Sequence, residues 1–190
     1  MLLKKMMMFR RFTQILIFQT RYCKLSQPGL DVMLVIGIDP GLAASGIVVL
    51  DDQIEVKFAL TLYTRPGALS DRLNYIYGEF SQILSEWKPD IGVLESTIYH
   101  KNVRTALNLG AVRGVFLVTM AQHGVPVMEI SPTRVKLGLT GQGRARKNQV
   151  AYMVQRLVHV DKELTEHEYD AAGLCLACLK DIGNAIRLRR

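Results

Sequence analysis

The run Leu34-Val35-Ile36-Gly37-Ile38 is wholly apolar, ends on an acid, Asp39, and is halted by Pro40-Gly41. A β-rich run of this kind begins a sheet strand, and the turn after it lets Asp39 project from the strand's carboxyl end. The pattern repeats at Ile91-Gly92-Val93-Leu94, which ends on Glu95. Two unpaired acids at the ends of neighbouring core strands repel each other and lose hydration unless a cation neutralises them. The bland alternative is that each acid merely caps or turns the chain.

The rest of the chain places these strands. After Met33 to Asp39, Ser45 to Leu50 and Ile54 to Leu60 read as further strands, with Asp51-Asp52 as the turn between them. Leu73, Ile76, Tyr77, Phe80, Ile83, Leu84 and Trp87 recur at helical spacing within residues 70–87, before Pro89. Ile91 to Glu95 is a strand, residues 103–121 a helical pattern, and Val125 to Ile130 a strand. Ser131-Pro132 opens a short helix through Leu137, and Thr140 to Gly143 is a loop. Helices are expected over 146–159 and 166–181, the second opened by Thr165 and Glu168 in a capping-box pattern. Three antiparallel strands followed by alternating helices and parallel strands is the order of an RNase H-like α/β fold, a mixed sheet flanked by helices.

With 49% apolar and 22% charged residues, the chain is globular and not disordered. No apolar run approaches 18 residues, so no membrane span is expected. Cys23, Cys175 and Cys178 are too few and too unevenly placed for a disulfide framework, which points to a reducing, cytoplasmic setting. Residues 1–32 are basic, with Asp31 their one acid, and read as sequence upstream of a domain over 33–182 or as an organellar transit-like segment. Residues 183–190 form a short basic tail. Between residues 96 and 160 stand nine Lys or Arg and a single acid, Glu129. Such segregation suits a polyanionic partner, although a solvated basic face has the same composition.

Asp170 precedes the apolar stretch Ala171-Ala172-Gly173-Leu174, and His167 three positions earlier shares its helical face. With Asp39 and Glu95 this makes an oxygen-rich, thiol-free set suited to Mg²⁺ or Mn²⁺. Cys175 and Cys178 lie inside the same apolar helix and read as a buried pair. Gly110 and Gly114 suggest close backbone packing against the sheet or a second subunit.

Taken together, these motifs resemble the RuvC family of Holliday-junction resolvases over residues 33–180. Val35 to Gly41 with Ser45-Gly46 is similar to the family's opening motif, and Glu95 with Lys101-Asn102 to its second acid block. Gly110 to Val115 resembles the helix that follows, Pro132 to Lys136 and Gly141 to Lys147 the basic region, and His167 to Ala172 the last acid motif. The resemblance implies a homodimer that cuts two symmetrically placed strands of a four-way DNA junction in recombination and repair, working with the RuvAB branch-migration complex. It implies Asp39, Glu95 and Asp170 as ligands for two Mg²⁺ per site, Mn²⁺ being possible, with His167 as the fourth member. Paired cations suit phosphodiester hydrolysis, one activating water and the other steadying the leaving oxygen.

Lys136 and Lys147 match basic positions of the family. They could neutralise the scissile phosphate, contact the DNA backbone, or be solvated. Lys101, Arg104, Arg134, Arg144 and Arg146 are expected to position phosphates. The family's apolar junction wedge is replaced here by Ile98 and Tyr99. Rival readings are a phosphate-loop ATPase, which needs a second such domain, a silent DNA-structure binder, and an RNase H-like nuclease acting on other nucleic acid.

Overall fold

The computed structural model describes residues 32–96, 102–160 and 162–187, with side chains as far as Gly183. The expected leader up to residue 31 and the last residues of the tail lie outside this set. One mixed sheet is formed by β1 (Leu34–Asp39), β2 (Ala44–Asp51), β3 (Val56–Tyr63), β4 (Ile91–Glu95) and β5 (Val127–Ile130), in the order β3-β2-β1-β4-β5. The first three strands form an antiparallel meander, and β4 and β5 extend it parallel to β1, as the element order predicts. The helices are α1 (Leu69–Trp87), α2 (Val103–Gln122), α3 (Pro132–Thr140), α4 (Lys147–Leu157) and α5 (Glu166–Arg187).

Side-chain alternation gives the sheet two different faces. Ile36, Ile38, Ile47, Val49 and Leu94 point to one, where they pack with Phe80 of α1 and with Val112, Phe116 and Met120 of α2. Phe80 and Phe116 meet edge to face with centroids 4.8 Å apart. A pair of this kind is worth about 0.5–1.5 kcal/mol beyond the area it buries. The other face is covered by α5, whose backbone comes so close that two strand positions cannot carry a Cβ. A Cβ on Gly37 would stand 2.2 Å from the Ala171 carbonyl oxygen, and one on Gly46 would stand 2.0 Å from that of His167. Cys175 and Cys178 are buried on this helix, as expected, and burial raises both thiols.

Several boundaries differ from the sequence reading. β3 starts at Val56 because Ile54 turns the hairpin at φ 67°, while Asp51 Oδ1 accepts the N–H groups of Gln53 and Glu55 at 3.0 and 2.8 Å. α3 runs on to Thr140 before Gly141 ends it in the left-handed region. α2 is, by length and composition alone, apolar enough to cross a bilayer, although no unbroken run is. Here Val112, Phe116 and Met120 face the sheet. Gly110 and Gly114 stand on its exposed side with nothing within 4 Å, so they do not pack against the sheet.

Candidate active site

Strand register brings the acids together. Ile38 pairs with Leu94 across parallel β1 and β4, so Asp39 and Glu95 follow side by side at the strand ends. Across antiparallel β1 and β2, Asp39 pairs with Gly46, the glycine over which α5 begins. The backbone of His167 therefore sits directly above Asp39's partner, and His167 Nδ1 lies 2.8 Å from Asp39 Oδ2. Ser45 holds the intervening loop, its hydroxyl donating to the Gly41 carbonyl at 2.7 Å and accepting the Gly41 N–H at 3.1 Å.

Asp170, one turn along α5, takes an ion pair from Lys147 at 3.0 Å. Lys147 is the first residue of α4, and its ammonium also reaches Glu166 at 2.5 Å. This shared pairing, chiefly the Glu166 hydrogen bond, pushes the lysine's pKa further up.

The electrostatics agree with the geometry. Burial and then the charge of Asp170 raise the pKa of Asp39, against a lowering hydrogen bond from His167. Burial, then Asp39 and Asp170, raise Glu95, with Lys136 and Lys147 opposing. Three carboxylates thus lie within one another's field, with two lysines at their edge. Such a set welcomes positive charge, and its oxygen donors with one imidazole fit a hard divalent ion.

Among the described residues, no three His, Cys, Asp or Glu side chains are arranged to hold a single ion. His167 engages Asp39, and Lys147 engages Asp170.

The other expected residues are spread more widely. Arg104 is exposed on the first turn of α2, and Arg144 and Arg146 are exposed in the loop before α4. Arg134 is tied to Asp181 at 2.9 Å. Ile98, Tyr99 and Lys101 lie outside the described residues. The sequence reading missed Glu166, which no pattern marks, and Thr61, whose hydroxyl donates to buried Glu168 at 3.1 Å. Glu168 also closes the expected capping box with Thr165, so the cap of α5 is fastened to β3. Arg113 was missed as well; its Nη1 reaches the Glu95 carbonyl oxygen.

A mixed sheet of this order, with acids ending two adjacent parallel strands and a third on the helix laid across them, is the frame of an RNase H-like nuclease. Residues 35–178 match the family model for crossover junction endodeoxyribonuclease RuvC. The chain belongs to the RuvC family. A RuvC of Dictyoglomus turgidum is 36% identical over 150 residues, covering 76% of this chain and 95% of that protein. One of Carboxydothermus hydrogenoformans is 41% identical over 129 residues, covering 66% and 82%. Thermus thermophilus RuvC in complex with Holliday junction substrate superposes with a TM-score of 0.72 at 27% identity, covering 76% of this chain and 92% of that one. The yeast mitochondrial Holliday junction resolvase, at 13% identity and a TM-score of 0.51, shares the fold.

Proposed function

We propose that this protein is a structure-selective endonuclease that resolves four-way DNA junctions by symmetrical hydrolysis of two strands. The observation that carries the reading is the meeting of Asp39, Glu95 and Asp170, distant in sequence, beside Lys147 and His167. A surface built only to bind DNA gains nothing from three carboxylates that repel phosphate.

Asp39, Glu95 and Asp170, with His167, would hold divalent cations, Mg²⁺ or Mn²⁺, which supply an activated water and stabilise the leaving oxygen. Asp39 and His167 hold each other in place on rigid elements, and burial keeps Glu95 and Asp39 in need of a positive partner. Lys147, exposed at the start of α4, exchanges its carboxylate partners for the scissile phosphate as charge develops there. Arg104, Arg144 and Arg146 grip flanking phosphates and set the duplex arms without reading bases.

Two sites are needed for two cuts, and α2 offers a surface for pairing. Val103, Leu107 and Val118 are exposed by 71, 69 and 50%, on a helix where Gly110 and Gly114 leave backbone uncovered. A second copy seated on this face would give a homodimer with one site per arm pair. Delivery of the junction by the RuvAB branch-migration complex belongs to the same reading.

The test is a synthetic four-way junction with labelled strands, incubated with protein and Mg²⁺. Paired nicks placed symmetrically about the crossover are expected, and Asp39→Asn should bind the junction while losing cleavage. Bound but uncut junction with the unaltered protein would support a silent binder, preferential RNA cleavage another nuclease, and normal cutting by Asp39→Asn would remove the site assignment.

A further inference from the structure

Among the described residues, Arg113 is the one basic side chain that is buried, at 8% exposure. It lies on the face of α2 that covers the sheet, between Val112 and Phe116, which are fully buried. A guanidinium has five N–H donors and stays charged, so in such a place it must be paired and its fork satisfied. Its charge is paired, and its two terminal nitrogens find acceptors, at the end of one strand pair. Nη1 donates to the backbone carbonyl of Glu95 at 2.5 Å, and Nη2 pairs with Glu129 Oε1 at 2.8 Å. Glu129 is the single acid of the basic stretch 96–160, and in β5 it stands opposite Leu94.

The geometry points to Arg113 as the positioning residue for Glu95, with Glu129 as the group that aligns its fork. Arg113 approaches from the α2 face, while the Glu95 side chain lies in the field of Asp39 and Asp170. Arg113 therefore acts through the peptide and not on the reacting groups. Its bond fixes the carbonyl on one side of the Glu95–Ser96 peptide, and the Ser96 N–H on the other side donates to the Ile130 carbonyl at 2.8 Å. Held at both ends, the peptide fixes the Glu95 backbone and hence where its carboxylate starts. A lysine cannot replace the arginine, since one ammonium lacks the planar fork that spans a carbonyl and a carboxylate. The loss of an ångström of placement at a cleavage site costs up to about 100-fold in rate.

The inference rests on Glu95 taking part in cleavage, and the experiment separates the two. Single-turnover cleavage and junction affinity are measured for Arg113→Lys, Arg113→Met, Glu129→Gln, Glu129→Ala and Glu95→Gln, and for the double variant Glu95→Gln with Arg113→Lys. Arg113→Lys should cut at least about 10-fold more slowly with junction affinity within about 3-fold of the original. Glu129→Ala, which leaves the buried guanidinium without its carboxylate, should lose part of the rate in the same way along with some stability, and Glu129→Gln, which keeps an acceptor, should lose less of both. In the Glu95→Gln background, Arg113→Lys should lower the residual rate no further, because its effect passes through Glu95. If Arg113→Met does not fold, the lysine and Glu129 variants decide the matter. Wild-type rates for both Arg113→Lys and Glu129→Ala overturn the positioning role. A further fall in the double variant overturns it too. Normal cutting by Glu95→Gln instead overturns the site reading beneath it.

Discussion

Glu95 ends a core strand with Asp39 and Asp170 in its field, and burial together with their repulsion raises its pKa above the ordinary 4.5. A carboxyl raised in this way favours the folded state when protonated, and that contribution disappears as pH climbs through the folded-state pKa. Replacing it with a neutral isostere should therefore stabilise the protein where the acid is ionised. Glu95→Gln is expected to unfold at a higher temperature than the original at pH 7 in metal-free buffer, with the gap closing as pH falls below the ordinary carboxyl value. Equal melting temperatures at both pH values would contradict the repulsion. Glu166 is the reverse case, an exposed acid lowered by the hydrogen bond from Lys147. Glu166→Gln should leave stability nearly unchanged and release the ammonium for phosphate. Junction affinity should rise at low salt, and the slope of log affinity against log salt should steepen by up to about one. Anisotropy titrations at several salt concentrations check this, and an unchanged slope would show that Glu166 does not hold Lys147 back from DNA.

At the scale of the elements, everything at the site depends on how α5 lies on β1 and β2. Gly46→Ala would push a methyl group into the His167 carbonyl, 2.0 Å away, and the first turn of α5 would have to lift. Overpacking of this kind costs about 1–3 kcal/mol. Denaturant unfolding should show that loss, and cleavage should fall further than stability does because His167 leaves Asp39. Much of this arrangement was legible beforehand. The apolar runs ending on Asp39 and Glu95 located both strand ends, and Thr165 with Glu168 marked the start of α5. What could not be read was contact between elements. The capping box is local, but its attachment to Thr61 joins residues 104 and 107 positions apart, and no periodicity encodes such pairs. Likewise Ile54 looked like strand because its side chain is β-branched, while the Asp51 carboxylate overrode that preference by capping the turn.

At the scale of the whole molecule, the proposed pairing through the exposed apolar side of α2 would tie function to assembly. Leu107→Glu places a charge in the middle of the proposed pairing face and touches nothing in the core. Sedimentation should show the dimer giving way to monomer, with paired nicks on a junction replaced by single ones; a dimer that survives would move the interface elsewhere. From the sequence, Gly110 and Gly114 could have packed against the sheet or a second chain, because both ask for the same small residues; the structure removes the sheet. Arg113 was hidden for a related reason: inside a basic stretch nothing local sets it apart, and only the tertiary structure turns it inward.

The placement of α5 also carries a consequence for timing. Asp39 lies in the first strand of the sheet, and Asp170 arrives on the last helix to be synthesised among the described elements. A ribosome feeds chain from the amino end, so a nascent polypeptide holds its early acids for some time with no partner to complete them. On the proposed reading, a chain that ends before helix 166–187 has neither His167 nor Asp170, so its early acids wait on the last element for the rest of their site.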